Sequence, residues 1–76
     1  MTYQAIFDRA SDGTVWGRIP EFSGAYGSGD TIDEARASLE AAAQIYVAEM
    51  RADGSEIPAP ATIAVVPIVI DAARSA

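Results

Sequence analysis

The sequence predicts an α+β fold: a three- to four-stranded sheet in the order β-β-β-α-β, covered on one face by one long helix. Three observations predict it. Residues 2–19 alternate around the turn signal ASDG, residues 32–50 carry an apolar stripe at helical spacing, and residues 63–70 form the short apolar run IAVVPIVI. With 76 residues there is room for one small domain. Residues 1–70 are expected to form it, with 71–76 as a loose C-terminal tail.

Residues 2–9 read as the first strand, with Tyr3, Ala5 and Phe7 on one face and Gln4, Ile6 and Asp8 on the other. Asp12-Gly13 is a hairpin signal. Residues 14–19 return as a second strand, Val15, Gly17 and Ile19 facing one way and Trp16 and Arg18 the other. Pro20 has no N–H to donate and ends the ladder. Residues 22–26 are expected to add a short third strand. Thr31 and Glu34 then form a capping box, in which the hydroxyl accepts the Glu34 N–H and the carboxylate reaches back to the Thr31 N–H. Asp33 and Glu34 also suit the positive end of the helix dipole. Ile32, Ala35, Leu39, Ala42, Ala43, Tyr46 and Met50 make the stripe expected to be buried, and Asp53-Gly54 ends the helix. After the stiff IPAP connector, residues 62–70 are expected to pair as a last strand parallel to the first. Pro67 within it points to an edge or a bulge.

Composition removes whole classes of function. There is no cysteine and no histidine, which excludes disulfides, thiolate nucleophiles, histidine bases and Cys/His zinc sites. Eleven acidic residues against five arginines and no lysine give a net charge of −6. Nucleic-acid binding wants a basic stripe, and none is visible. An acidic surface favours a basic partner, although the same charge also serves solubility alone. The N-terminus lacks the basic start and apolar core of a signal peptide, and the apolar run at 63–70 is far short of the roughly 20 residues of a membrane span. A cytoplasmic protein that does not bind membranes is expected.

The stretch YGSGDTIDEA, residues 26–35, invites two chemical readings. Glycines before a helix start resemble a phosphate loop, but Asp30, Asp33 and Glu34 would repel the phosphate and no P-loop lysine is present. The carboxylates suit a hard cation, yet the cap and the dipole already account for Asp33 and Glu34. The favoured reading is a helix start, its glycines serving as joints at positive φ. No metal, cofactor or catalytic residue is assigned. An enzyme is not expected, since no base–nucleophile pair is visible.

The same stretch belongs to a longer pattern. Ile19-Pro20-Glu21, Gly24, Gly29-Asp30-Thr31, Glu34-Ala35, Tyr46, and Asp53-Gly54 through Ile57-Pro58 and Pro60 resemble, in order and spacing, the HicB family of antitoxins. Ser23 and Ala25 depart from it, standing where the family often has proline and cysteine. The sequence also ends before the DNA-binding segment that many members carry, so no direct DNA binding is expected. The resemblance implies a partial RNase H-like fold without nuclease chemistry. It also implies an antitoxin that neutralises a small basic HicA-like mRNA-cleaving toxin by covering its active surface.

For the contact surface, the residues themselves single out Ile6, Trp16 and Arg18 on the uncovered sheet face, with Phe22 and Tyr26 nearby. Aromatics and arginine are enriched at binding hot spots, but a tryptophan in a domain this small can equally close the core. The uncovered face and the doubly apolar last strand further predict a homodimer or higher homo-oligomer. A self-associating HicB-like scaffold or regulatory module with no toxin partner is the alternative function.

Overall fold

The computed structural model describes residues 1–71. It contains three strands, β1 (Ile6–Arg9), β2 (Val15–Arg18) and β3 (Tyr26–Gly29), followed by one helix, α1 (Ile32–Ala52). The strands form an antiparallel sheet in the order β1-β2-β3. This is the expected α+β arrangement with three strands.

The first hairpin closes through Asp12-Gly13. Gly13 sits at φ 92°, in the left-handed region that favours glycine. The Ala10 N–H donates to the Thr14 carbonyl, and the Thr14 N–H donates to Asp12 Oδ1 at 3.0 Å, which holds the Asp12 carboxyl below its usual pKa. Register places Phe7 opposite Gly17, and Gly17 opposite Gly27, all on the helix side. Ile6, Arg18 and Tyr26 share the other side, as do Asp8, Trp16 and Ser28.

Residues 22–26 do not form the third strand as expected. Two consecutive turns over residues 19–22 and 22–25, closed by Phe22 N–H to the Ile19 carbonyl and Ala25 N–H to the Phe22 carbonyl, take the chain to Tyr26, where β3 starts. Gly27 and Gly29, expected as positive-φ joints, lie inside β3, and the positive-φ glycines are Gly13 and Gly54. The strand glycines answer a different need. A Cβ on Gly27 would fall against the Leu39 backbone nitrogen and 2.6 Å from the Ala35 carbonyl oxygen, and one on Gly29 would lie 2.5 Å from Glu34 Cβ. Absent side chains let the helix backbone lie directly on β3.

The helix starts at Thr31, whose Oγ1 accepts the Glu34 N–H at 3.1 Å. Glu34 reaches one residue farther back than expected: its Oε1 accepts the Asp30 N–H at 2.9 Å rather than that of Thr31. At the other end Gly54 N–H donates to the Arg51 carbonyl and Ser55 N–H to that of Met50, with Gly54 at φ 73°. This is a Schellman stop.

Val15, Phe22, Ala25, Ala35 and Leu39 form the core. Ala42, Ala43, Tyr46 and Met50 from the predicted stripe are half-buried, while Ile32, at the helix start, is exposed. The helix packs over β3 and β2 rather than centrally, leaving the helix side of β1 partly open. Phe22 stacks between Tyr3 and Tyr46, with ring centroids 4.6 and 5.3 Å away, and fills the space beyond the sheet.

The last expected strand is not formed. After α1 the chain returns to the domain, where Tyr3 Oη donates to the Pro58 carbonyl. Ala61 and Thr62 donate their N–H groups to Glu21 Oε2 at 2.6 and 3.0 Å. Residues 63–70 then carry no strand pairing, and Ile63, Val66, Ile68, Val69 and Ile70 are 66–99% exposed. Among the described residues the expected strand has no strand neighbour. The tail at 72–76 lies outside the described residues.

Candidate protein-binding face

Strand alternation builds the candidate site. Because Val15 and Gly17 turn inward against α1, Trp16 and Arg18 turn outward, and cross-strand pairing adds Ile6, Asp8 and Tyr26 to their face. Trp16 is 46% exposed and Tyr26 56%, which decides between the two readings of Trp16: it is a surface residue and not a core plug. Asp8, Trp16, Gly17, Arg18 and Tyr26 line a shallow hollow of about 310 Å³. Across it Arg18 Nε lies 3.9 Å from Asp8 Oδ2, a loose, exposed ion pair that leaves the guanidinium available to other acceptors.

Four of the five residues singled out from sequence, Ile6, Trp16, Arg18 and Tyr26, thus share one face. Phe22 does not. It is 3% exposed, in the aromatic stack with Tyr3 and Tyr46, so its role is packing. Asp8, expected on the face of Ile6 but not among the contact residues, lies on this face beside Arg18. Thr31 and Glu34 act at the helix start, as expected for structural residues.

The electrostatics divide by layer. Asp33, Glu34, Glu40 and Glu49 are exposed on α1 against two exposed arginines, Arg51 and Arg36, the latter paired with Glu40 at 3.2 Å, whereas the sheet face carries one anion and one cation, Asp8 and Arg18. Neither side resembles a metal centre: among the described residues no group of three or more Asp or Glu side chains is arranged to hold an ion. No helix among them is long and apolar enough to cross a membrane.

The candidate site is thus a small sheet backed by one helix, with a half-apolar open face. Comparison with known proteins gives the family. Residues 3–71 match the model of the HicB-like antitoxin of bacterial toxin–antitoxin systems. The chain belongs to this HicB-like antitoxin family. A UPF0150 protein of Synechocystis is 49% identical over 49 residues, covering 64% of this chain and 68% of its own length. No solved structure matches the chain at a significant level. For a HicB-like chain, the pattern from Ile19 to Pro60 now has a physical basis at several points. Gly29 admits the helix, Thr31 and Glu34 start it, Tyr46 stacks on Phe22, and Gly54 ends it.

Proposed function

We propose that this HicB-like chain neutralises a small basic, HicA-like mRNA-cleaving toxin by covering its active surface, and that it does so without catalysis of its own. The observation that carries the reading is family membership across residues 3–71. The exposed Trp16–Tyr26 face supports it by supplying aromatic anchors and an arginine on a rigid sheet. In this reading the three strands and α1 are the β-β-β-α part of a partial RNase H-like domain, working in the cytoplasm.

The two surfaces take different tasks. The net charge of −6, displayed largely on and around α1, steers a cationic toxin toward the chain, while the sheet face makes the close contact. An interface of this kind buries about 1,200–2,000 Å² in total. Its association rate falls with added salt, because exposed charges are screened beyond about 10 Å at 0.1 M.

The test mixes the purified chain with the product of the adjacent small basic gene and follows RNA cleavage. A molar excess of the chain is expected to stop cleavage. Trp16→Ala is expected to weaken inhibition mainly through faster dissociation, whereas Glu40→Gln with Glu49→Gln slows association. Unimpeded cleavage in the presence of the chain would refute the antitoxin reading. The second reading is a self-associating HicB-like module, a homodimer or higher homo-oligomer with no toxin partner. It is favoured by the exposed apolar segment at 63–70.

A further inference from the structure

Residues 61–70, ATIAVVPIVI, contain no charged side chain. Six of them (Ile63, Val65, Val66, Ile68, Val69 and Ile70) are large apolar residues at least 53% exposed. They do not fold back on the domain. The molecule measures 51 Å in its longest dimension, with a radius of gyration of 15.1 Å, against about 11 Å expected for a compact chain of this length. A strand apolar on both faces requires cover on both.

The domain holds one matching vacancy in its sheet. The outer edge of β3 is closed in part by the helix, since the Ser28 N–H donates to Ser38 Oγ at 3.1 Å. The outer edge of β1 has no strand beside it among the described residues. Since α1 lies over β3 and β2, a groove of about 360 Å³ opens beside the start of β1, with Met1, Tyr3, Ala5, Ile19, Leu39 and Ala43 as its apolar floor and Arg36, Glu40 and Gln44 of α1 as its polar rim. Edge and groove together offer main-chain partners and a place for alternate side chains.

We propose that residues 63–70 of one chain add as a strand to the β1 edge of a second copy, which returns its own segment to the first. This rests on the self-association reading and names its interface. Each chain carries both halves, the apolar strand and the open edge, so one two-fold axis satisfies both at once. Glu21 fixes where the exchanged strand leaves, by holding the Ala61 and Thr62 N–H groups. The segment spans about 26 Å when extended, more than enough to run the length of a four-residue strand. Pro67 is tolerated because the added strand becomes the new edge, where one missing N–H can face outward. Covering a Val or Ile side chain removes about 60–120 Å² of apolar surface, so twelve such side chains and the surfaces they cover reach the about 1,200–2,000 Å² of a stable interface. A charged, basic partner fits this uncharged segment less well than it fits the acidic helix.

The experiment combines sedimentation of the full chain with a mixed-label measurement. The chain has no cysteine, so Val69→Cys carries a single spin label. Labelled, isotopically silent protein is mixed and refolded with unlabelled ¹⁵N protein. The expected result is a dimer or larger species in which the amides of residues 4–8 of the ¹⁵N chain broaden. A dimer without that broadening overturns strand exchange and leaves self-association standing. A monomer up to about 100 μM, a range in which even a weak interface fills, overturns both. Val66→Asp with Ile68→Asp is expected to halve the sedimenting mass or more while keeping the helical circular dichroism, since neither residue belongs to the core. An oligomer of unchanged mass in that variant likewise overturns the proposal.

Discussion

The closeness of α1 to β3 can be tested with one methyl group. In Gly27→Ala the new Cβ meets the Leu39 backbone nitrogen and Cα, with the Ala35 carbonyl oxygen at 2.6 Å, whereas ordinary contact starts near 3.4 Å. Backbone cannot rotate away, so the helix must lift. A radial gap of 0.5–1 Å already forfeits a quarter to a half of the dispersion well, and the atoms affected are those of Ala35 and Leu39, the centre of the core. Overpacking costs about 1–3 kcal/mol, and a wholly backbone clash belongs at the top of that range. A chain of 76 residues is stabilised by about 4–11 kcal/mol in all, so the loss is a large fraction. With a urea m-value near 1 kcal/mol/M, the midpoint should fall by about 3 M, and at the lower end of stability the variant does not fold. Gly17→Ala is the comparison. Its Cβ meets the Phe7 ring at 2.6 Å and Leu39 Cδ2 at 3.3 Å, side chains that can shift, so about 1–2 kcal/mol is expected. A Gly27→Ala midpoint within about 0.5 M of the wild type, or a larger loss for Gly17→Ala, would refute the reasoning.

Thr31→Ala removes the acceptor of the Glu34 N–H and should cost about 0.5–2 kcal/mol in urea unfolding, with toxin inhibition retained at low temperature. Gly54→Ala places a Cβ at φ 73° and should cost about 1–2 kcal/mol, visible as fraying at residues 50–52 in amide exchange. Glu21 supplies a pH dependence: N–H donation from Ala61 and Thr62 holds its pKa below the ordinary 4.5, so the folded state favours the ionised form. The stabilisation is therefore complete above about 4.5 and fades as pH falls through the lowered value, and the Ala61 and Thr62 amide resonances should move in that window but stay fixed in Glu21→Gln.

What was legible in the sequence is what local periodicity encodes. Strand parity put Trp16 and Arg18 opposite Val15 and Gly17 correctly, because a single hairpin with a glycine at the turn leaves one register to adopt. The helix boundaries followed from Thr31, Glu34 and Gly54, whose roles depend on neighbours within a few residues. Contacts between distant residues were not legible. Aromatic residues serve cores and interfaces alike, so nothing in residues 22–26 said that Phe22 would turn inward between Tyr3 and Tyr46 while Tyr26 turned outward. Gly27 and Gly29 look like turn glycines until the helix is laid on them, 5 to 12 residues later in the chain. The Glu21 anchor spans 40 residues and has no pattern of its own.

The segment at 63–70 shows the limit in its sharpest form. Its composition specifies a strand buried on both faces, but strand pairing belongs to two segments and no strand among the described residues pairs with this one. In the proposed readings two exposed apolar surfaces among the described residues, the Trp16–Tyr26 face and this segment, each meet a partner, and they differ in kind. The first is a rigid, preorganised face carrying an ion pair, suited to a partner that arrives by charge and docks on side chains. The second is uncharged and extended, suited to main-chain pairing with a sheet edge, and the chain itself carries such an edge in β1. Under the two proposals, separate surfaces for separate partners would let self-association complete the sheet without occupying the face proposed to meet a toxin. Disrupting residues 63–70 should therefore change oligomeric state first, and toxin binding only insofar as two linked copies hold it more tightly than one.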